Sequence, residues 1–369
     1  MLNFINRIIE IILYKKDKFF NNPNLDNGFI SQKPKQHDYK HEPTRLGFVP
    51  KIIFRPDMQW DFYRPVGELQ KRKDRDKMAC VTFSAMNCIE TIINFFIAVI
   101  ADEELQKQFN NQDLYEIKEI VKVFKHFGLI KNNQCECSDR YIAKLSGTTE
   151  RGNNQNNVAQ AIRHFGLVPE DLWPYVHDFN EYYKNIPDNI IQKGKELLEY
   201  IKFNHEWVAP KNFNTERKYG PIQTSIYAGG GWRGNGIYPR QVYKRNHAID
   251  TDGFVWKEYD KVLDSYKPFD KKVAWDSDLG WGKLFSIHLK KPIKNEREKL
   301  LDKGTKFVIR ADANGEFYKI ENNRLVYIRG EKEIKKALSE LANLNENLIN
   351  LTKQKKILWI PEELYNRLK

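Results

Sequence analysis

Residues 76–100 of this 369-residue chain read DKMACVTFSAMNCIETIINFFIAVI and change within a few positions from charged to almost wholly apolar. Cys80 lies at that change. The apolar share after Cys80 is too high for a surface helix, which predicts a central helix over residues 80–101 that is packed on several sides. A thiolate is stabilised at a helix N-terminus by unpaired backbone N–H groups and by the helix dipole. Cys80 is therefore a candidate nucleophile, with a buried cysteine of no chemical role as the alternative.

The cysteine count and the charge limit the classes of protein to which this chain can belong. Four cysteines are too few for a disulfide framework in a chain of this length, which indicates a reducing compartment. Cys135 and Cys137 have no second Cys or His pair at zinc-binding spacing, and we predict neither a metal site nor a cofactor. The net charge of +12 is scattered through a Lys- and Asn-rich sequence, a pattern that indicates biased composition rather than a nucleic-acid-binding surface.

The first 48 residues differ in composition from the rest of the chain. Residues 2–18 predict an amphipathic helix, and the following stretch predicts a polar, proline-containing arm. Arg7 and Glu10 interrupt the apolar run, so it fits neither a secretory signal nor a transmembrane span. Because such a helix cannot bury its apolar face alone, it must dock onto the body of the protein, a membrane surface or a partner.

Residues 49–298 predict an α+β domain, with helices in its first half and an antiparallel sheet in its second. Besides the central helix, the apolar periodicity predicts helices at about 112–130, 156–167 and 188–205. Strand patterns then follow at 221–228, 247–256, 259–266 and 283–291. Residues 299–369 predict a small accessory unit, with a three-stranded β-meander over 305–330, a helix over 331–354 and a short helix opened by Pro361.

Several segments within residues 60–290 resemble, in their order along the chain, segments of the papain-like (C1-type) cysteine proteases. CVTFSAMN at 80–87 resembles the start of the nucleophile helix, and GPIQTSIYA at 220–228 and NHAIDTDGF at 246–254 resemble two strands of that family. SDRYIAKLSG at 138–147 and GNNQNNVAQAIRHFGLVPEDLWPY at 152–175 lie between them in the matching order. The resemblance implies a two-lobed α+β fold and amide hydrolysis through an acyl-enzyme.

The resemblance also assigns roles to individual residues. Cys80 corresponds to the nucleophile and His247 to the base that protonates the leaving amine. Asp264, 17 residues after His247, stands where the family usually has asparagine and would orient the imidazole. Asp276 is a rival for that role, disfavoured because it requires a longer excursion of the chain. Gln70 would complete an oxyanion hole with the backbone N–H of Cys80, if residues 71–77 form an inserted loop.

Two further points complete the prediction: the residues of the cleft lip, and the places where the chain departs from the family pattern. The backbone around Gly147, Gly152, Asn153 and Asn154 would bind an extended peptide by strand-like pairing. Val81 replaces an aromatic residue, and the separation of nucleophile and base exceeds the roughly 130–150 residues of the papain type. These departures indicate a divergent microbial or phage-encoded branch, with a cytoplasmic or virion-associated location.

Two questions stay open at the level of sequence. The chain could be a peptidase, an amidase of peptidoglycan cross-bridges or isopeptides, or an inactive papain-like scaffold with a structural, virion-associated or partner-binding role. Residues 1–48 could lie across the cleft as inhibitory segments of the family do, but they lack the charge-rich helical pattern of such segments. We therefore expect the arm, and also the C-terminal unit, to be the regions available for a protein partner.

Overall fold

The computed structural model describes residues 28–35, 38, 52–70, 76–293, 307–310, 317–321, 324–329, 333, 336 and 357–360. The chain divides into two compact units, Met1–Pro292 and Ile293–Lys369. The predicted helix over residues 2–18 lies outside the described residues, as do the short helix after Pro361 and most of the helix predicted over 331–354.

The helices of the first unit surround one long central helix. In chain order they are α1 Cys80–Ala101, α2 Glu103–Gln106, α3 Asn111–His126, α4 Asp139–Leu145, α5 Gln155–Phe165, α6 Phe179–Tyr182, α7 Asp188–Leu197 and α8 Phe213–Glu216. Helix α1 has the predicted limits, and its residues are buried throughout the first four turns. Among the described residues it alone is long and apolar enough to cross a membrane, and 83% of its most apolar window is buried, as in the core helix of a folded domain.

The strands of the first unit form one large sheet and a small hairpin. The hairpin pairs β1 Ile130–Lys131 with β2 Gln134–Cys135. The remaining strands are β3 Ile201–Val208, β4 Ile222–Ile226, β5 Ile237–Tyr238, β6 His247–Val255, β7 Tyr259–Leu263, β8 Asp270–Ala274 and β9 Gly282–Leu289. Their order in the sheet is β3-β9-β4-β6-β7-β8-β5, antiparallel except for the β5–β8 pair. The predicted α+β class, with helices before an antiparallel sheet, is confirmed.

One predicted helix is partly wrong. Helix α7 ends at Leu197, and residues 201–205 of the range predicted as helix belong to strand β3 instead. Ile201, Phe203 and Trp207 alternate along β3 and are buried, while the strand pairs along its whole length with β9. After Leu197 the buried side chains alternate with a period of two and a partner strand is available, so the chain forms a strand although its apolar pattern also fits a helix.

Helix α1 packs against the centre of this sheet and is tied to it by polar contacts. Gln223 on β4 is fully buried, and its amide donates to the carbonyl oxygen of Val81 at 2.6 Å and to the Ser84 hydroxyl at 2.9 Å. The same glutamine accepts, at its backbone oxygen, a hydrogen bond from Gln155 at 3.2 Å. The first turn of α1 is thereby fixed relative to β4 and to the strand beside it, β6.

The second unit contains the predicted meander. Strands β10 Phe307–Arg310, β11 Phe317–Glu321 and β12 Arg324–Ile328 pair antiparallel in sequence order. A fourth strand, β13 Ile357–Ile360, pairs parallel with β10 and was not predicted. Its four apolar residues are too short a run to distinguish a strand from a buried helical turn.

Candidate active site

Cys80 is the first residue of α1 and is fully buried. The chain enters the helix through a sharp turn at Met78, whose φ of 54° is unusual for a residue with a side chain. The Asp76 carboxylate fixes this turn by accepting the Met78 N–H at 2.8 Å. Ala79, at the N-cap, has no side chain that can accept a hydrogen bond, so the first turn of α1 has no side-chain cap.

His247 lies at the start of β6 and Asp264 lies just after the end of β7. Because these strands are antiparallel neighbours, with Asp250 opposite Leu263, the start of one meets the end of the other. His247 Nε2 contacts Asp264 Oδ1 at 2.6 Å, and both side chains are almost completely buried. The fold therefore brings together two residues that are distant from Cys80 in sequence.

Asp264 is held by more partners than a single imidazole. Its Oδ2 accepts the indole N–H of Trp232 at 2.9 Å and lies 3.1 Å from the Lys271 ammonium. Its Oδ1 also accepts the backbone N–H of Ser265 at 2.7 Å. Burial alone would raise the pKa of Asp264, but the charges and hydrogen bonds of His247 and Lys271 outweigh it and lower that pKa. Asp264 is thus a rigidly held carboxylate.

The charge state of His247 follows from its two neighbours. Burial by itself lowers the pKa of His247, but the charges of Asp264 and Cys80 and hydrogen bonds to both raise it to about 10. Nε2 is engaged by Asp264, and Nδ1 is buried with no nitrogen or oxygen partner among the described residues. At neutral pH a pKa raised in this way favours an imidazolium paired with the Asp264 carboxylate.

Aromatic rings enclose the imidazole. The Tyr266 ring lies 5.1 Å from the His247 ring, and the Trp232 ring meets it edge-on at 5.9 Å. Tyr266 follows Asp264 and Ser265 in the segment that resembles Asn-Ser-Trp. That resemblance is the one feature of the sequence that could have indicated an aromatic residue beside the imidazole. The contacts of Trp232 and Lys271 with Asp264 could not be predicted from the sequence, because they depend on the positions of loop residues 229–236 and of strand β8 in the fold.

Asp276, the rival for the third role, lies elsewhere. Its carboxylate is exposed and pairs with Arg240 at 3.4 Å on the surface. In the structure Asp264, and not Asp276, contacts His247.

Gln70 is fully buried near this cluster, but its amide is already engaged. Nε2 donates to Asp76 at 2.9 Å and contacts the Tyr266 hydroxyl at 2.5 Å, while Oε1 accepts from the Ser265 hydroxyl at 3.0 Å. Both hydrogens of the amide therefore have partners in this conformation. Asp76, which was not predicted, connects Gln70, Tyr266 and the turn before Cys80.

The backbone of the predicted cleft lip pairs with residues 28–30 of the chain's own arm. Ile30 N–H donates to the Asn153 carbonyl at 2.7 Å, and Asn153 N–H donates to the Gly28 carbonyl at 3.0 Å. Phe29, only 2% exposed, forms the parallel bridge with Asn153. A Cβ on Gly152 would come within 2.1 Å of the Gly28 backbone, so only glycine permits this approach.

The other lip residues support that conformation. Gly147 and Gly152 both have positive φ, and Asn154 caps α5 by accepting from Asn157. The buried amide of Asn153 donates to the Ser146 carbonyl at 3.0 Å, which fixes the Asn153 side chain. The docking role that the sequence favoured for the arm stays a prediction; the structure shows that residues 28–30 pair with the backbone of Asn153.

The three other cysteines lie in environments that suppress thiolate formation. Burial and the charge of Asp250 raise the pKa of Cys88, whose thiol donates to that carboxylate at 3.3 Å. Burial raises the pKa of Cys135, and the hydrogen bond that Cys137 shares with Cys135, together with burial, raises the pKa of Cys137. Among the described residues, no group of three or more His, Cys, Asp or Glu side chains is placed to hold a metal ion.

Comparison with solved structures returns papain-like cysteine proteases, the likeness expected from the sequence. Bromelain of Ananas comosus, in complex with the E64 inhibitor, matches 63% of this chain and 96% of its own at 14% identity and a TM-score of 0.38. Xylellain, a cysteine protease from Xylella fastidiosa, matches 73% of this chain and 97% of its own at 16% identity and a TM-score of 0.41. Digestive procathepsin L 3 of the Tenebrio molitor larval midgut matches 68% of this chain and 74% of its own at 10% identity and a TM-score of 0.42. At these identities the likeness concerns the fold alone. No protein-family model and no curated protein sequence matches the chain.

Proposed function

We propose that this protein is a thiol-dependent peptide hydrolase that acts through a Cys80–His247–Asp264 triad. One observation carries the proposal: a buried imidazole is held at Nε2 by the Asp264 carboxylate, and Cys80, the first residue of helix α1, is one of the two groups that raise the pKa of that imidazole. A carboxylate that fixes the ring and a sulfur on its other side are what an acyl-transfer nucleophile requires.

The reaction divides into two acyl transfers. The Cys80 sulfur, as thiolate, attacks the peptide carbonyl carbon and forms a C–S bond, while the carbonyl oxygen becomes an oxyanion near the N–H groups at the start of α1. The C–N bond breaks as the His247 imidazolium gives its proton to the leaving amine. A water molecule then loses a proton to the neutral imidazole and attacks the thioester, which releases the acid and restores thiolate and imidazolium.

Access to this site requires the arm to move. Residues 28–30 use the backbone groups of Asn153 that an extended substrate would use, and Cys80 has no exposed surface. We infer that the described conformation is a closed one and that displacement of residues 28–30 precedes turnover. The acyl segment of the substrate would then pair with the lip in their place.

A covalent label tests the proposal. An epoxysuccinyl thiol-protease inhibitor should modify Cys80 alone, because the pKa values of the other three thiols are raised. Peptide mapping by mass spectrometry identifies the modified residue, and Cys80→Ala and Cys88→Ala serve as target and control variants. Labelling of Cys88, Cys135 or Cys137 instead of Cys80 would exclude the assignment.

Two observations favour a second candidate, a papain-like scaffold without catalytic activity. Both hydrogens of the Gln70 amide are engaged, and Cys80 is covered. Such a scaffold would use the arm or the second unit to bind a protein partner. Absence of both labelling and turnover after displacement of the arm would support it. If the protein is an active enzyme, a panel of substrates would show whether it cleaves the amide of a peptide, of a peptidoglycan cross-bridge or of an isopeptide. The four free cysteines support a reducing compartment for either candidate.

A further inference from the structure

The Asp76 carboxylate bonds to residues on both the helix side and the sheet side of the candidate site. On the helix side its Oδ1 accepts the Met78 N–H at 2.8 Å, just before Cys80. On the sheet side its Oδ2 accepts the hydroxyl of Tyr266, which lies 190 positions further along the chain. The Tyr266 ring in turn lies 5.1 Å from the His247 ring. A single carboxylate thus joins the turn that leads to the sulfur with the ring that packs on the imidazole.

The direction of these hydrogen bonds follows from the state of the Tyr266 hydroxyl. Burial, together with the charge of Asp76, raises the pKa of Tyr266 well above its ordinary value. The hydroxyl therefore keeps its proton and donates it to the carboxylate. The Gln70 amide donates to Asp76 at 2.9 Å and to the Tyr266 oxygen at 2.5 Å, which closes a triangle of three side chains. The carboxylate accepts from Met78, Gln70 and Tyr266 at once.

The bond to Met78 matters because of the backbone conformation of that residue. Its φ of 54° lies in the left-handed region, where a residue with a side chain is strained. Such a conformation persists only where surrounding contacts hold it, and Asp76 binds the N–H of this same residue. Cys80 follows two positions later as the first residue of α1. Relaxation of the turn would therefore move the sulfur relative to the imidazole.

We propose that Asp76 is a positioning residue that holds the Cys80 turn and the ring beside His247 in the arrangement that acyl transfer requires. The inference rests on the proposed function, since the reaction to be positioned is the one assigned to Cys80 and His247. Asp76 acts through Met78 on one side and through Tyr266 on the other. A displacement of about 1 Å between reacting groups costs on the order of 10²-fold in rate, so a link of this kind has a measurable effect.

Two substitutions at Asp76 test the inference in the full chain. D76A removes every bond of the carboxylate, and we expect kcat to fall about 10²-fold. KM should stay within about twofold, because the lip at Asn153 is unchanged. D76N keeps an oxygen for the Met78 N–H but loses the charge that accepts from Tyr266, so it should recover about tenfold of that loss.

The matched control lies at the other end of the same helix. Asp102 follows α1 directly, and its carboxylate also accepts backbone N–H groups, from Glu104 at 2.8 Å and from Leu105 at 3.3 Å. D102A removes an equivalent local acceptor far from Cys80 along the helix, and kcat should not change. The melting temperature of each variant is measured in parallel, so that rates are compared for folded protein.

A second measurement requires no peptide hydrolysis. Iodoacetamide alkylates Cys80 with loss of iodide and needs no proton. An epoxysuccinyl inhibitor reacts as the sulfur bonds to a ring carbon, the C–O bond breaks and the oxygen takes a proton from the His247 imidazolium. The ratio of the second rate to the first reports the placement of sulfur and imidazolium, and it cancels changes in access that affect both reagents. It should fall about tenfold in D76A, less in D76N and not in D102A.

The outcomes separate this inference from the proposed function. A ratio that falls in that order, without hydrolysis of any peptide, would support Asp76 and count against the peptidase. Hydrolysis in which folded D76A keeps the kcat of D102A, or a ratio that D76A leaves unchanged, would overturn the Asp76 inference alone. If neither reagent modifies Cys80 in the wild type, both proposals fail, because no reaction remains for Asp76 to position.

Discussion

The two sides of the cleft are built in opposite ways. On the sheet side His247 is surrounded by groups that are buried and mutually bonded, with Asp264 accepting from Trp232 and Ser265 and pairing with Lys271. On the helix side the lip at Asn153 is covered by a segment from far upstream, through two backbone hydrogen bonds. The sheet side is preorganised and costly to change, whereas the helix side is closed by contacts that a competing peptide can replace.

The largest expected effect is at the junction of the two sides. Cys80→Ala should abolish amide hydrolysis, a loss on the order of 10³-fold or more, because the bond-forming sulfur is removed. The melting temperature should change little, since the substitution removes one atom from a buried position. Turnover by Cys80→Ala equal to that of the wild type would exclude Cys80 as the nucleophile, while Cys88→Ala should retain activity.

The next effect tests the sheet side. Asp264→Asn should lower kcat by about 10²–10⁴-fold, because the imidazole loses the charge that holds its orientation and protonation state. The charge of Asp264 raises the pKa of His247, so its removal should shift the alkaline limb of the kcat/KM profile from near pH 10 to lower pH. Asp276→Asn, on an exposed carboxylate, is the matched control and should change neither quantity. The reverse ranking would transfer the orienting role to Asp276.

The same His247 pKa predicts a pH dependence of stability. A folded-state pKa of about 10, above the ordinary value of roughly 6.5 for the unfolded chain, stabilises the fold fully below pH 6.5. That contribution is lost as the pH rises from 6.5 towards 10. Chemical denaturation across this window should therefore show a decline in the free energy of unfolding for the wild type and a smaller decline for Asp264→Asn. Equal slopes would show that the carboxylate does not set the His247 pKa.

How much of each side of the cleft could be predicted depends on whether the relevant sequence pattern is short and continuous or depends on contacts between distant segments. Cys80 at the start of an apolar helix and His247 at the start of a strand were predicted as site residues from short segments in the right order, and Asp264 was predicted from its spacing. Trp232 and Lys271 contact Asp264 through a loop and a strand whose positions depend on the whole sheet. Strand β3 was mistaken for the end of a helix for the same reason, since its partner β9 lies more than 70 residues away.

The arm was predicted as a segment but not in its location. No residue pattern in 28–30 specifies pairing with Asn153, because backbone hydrogen bonds of this kind do not depend on side-chain identity. The sequence did provide one indirect signal, Gly152, where any side chain would strike the arm backbone. Contacts made through backbone groups are the part of this cleft that a single sequence does not reveal.

A smaller change, in the opposite direction, tests the helix side. Ile30→Pro removes the N–H that donates to Asn153 and should loosen the arm, raising turnover of a small peptide substrate by about tenfold, as expected for loss of roughly one hydrogen bond. Ser31→Pro is the control, because the Ser31 N–H makes no backbone hydrogen bond among the described residues. If both variants raise turnover equally, the pairing at Asn153 does not close the cleft; if neither does, residues 28–30 do not limit access.

The smallest expected effect concerns Gln70, which lies between the two sides. An amide that donates to the oxyanion contributes about 10²–10³-fold to kcat, yet both Nε2 hydrogens of Gln70 already have partners in Asp76 and Tyr266. We therefore expect Gln70→Ala to lower kcat less than tenfold, with the backbone N–H of Cys80 supplying most of the stabilisation. Asp76→Ala releases one of those hydrogens, and in that background Gln70→Ala should cost more than it does alone. A full 10²–10³-fold loss in the single variant would instead show that substrate binding breaks the bonds to Asp76 and Tyr266, and that the closed arrangement on the helix side extends to the oxyanion site itself.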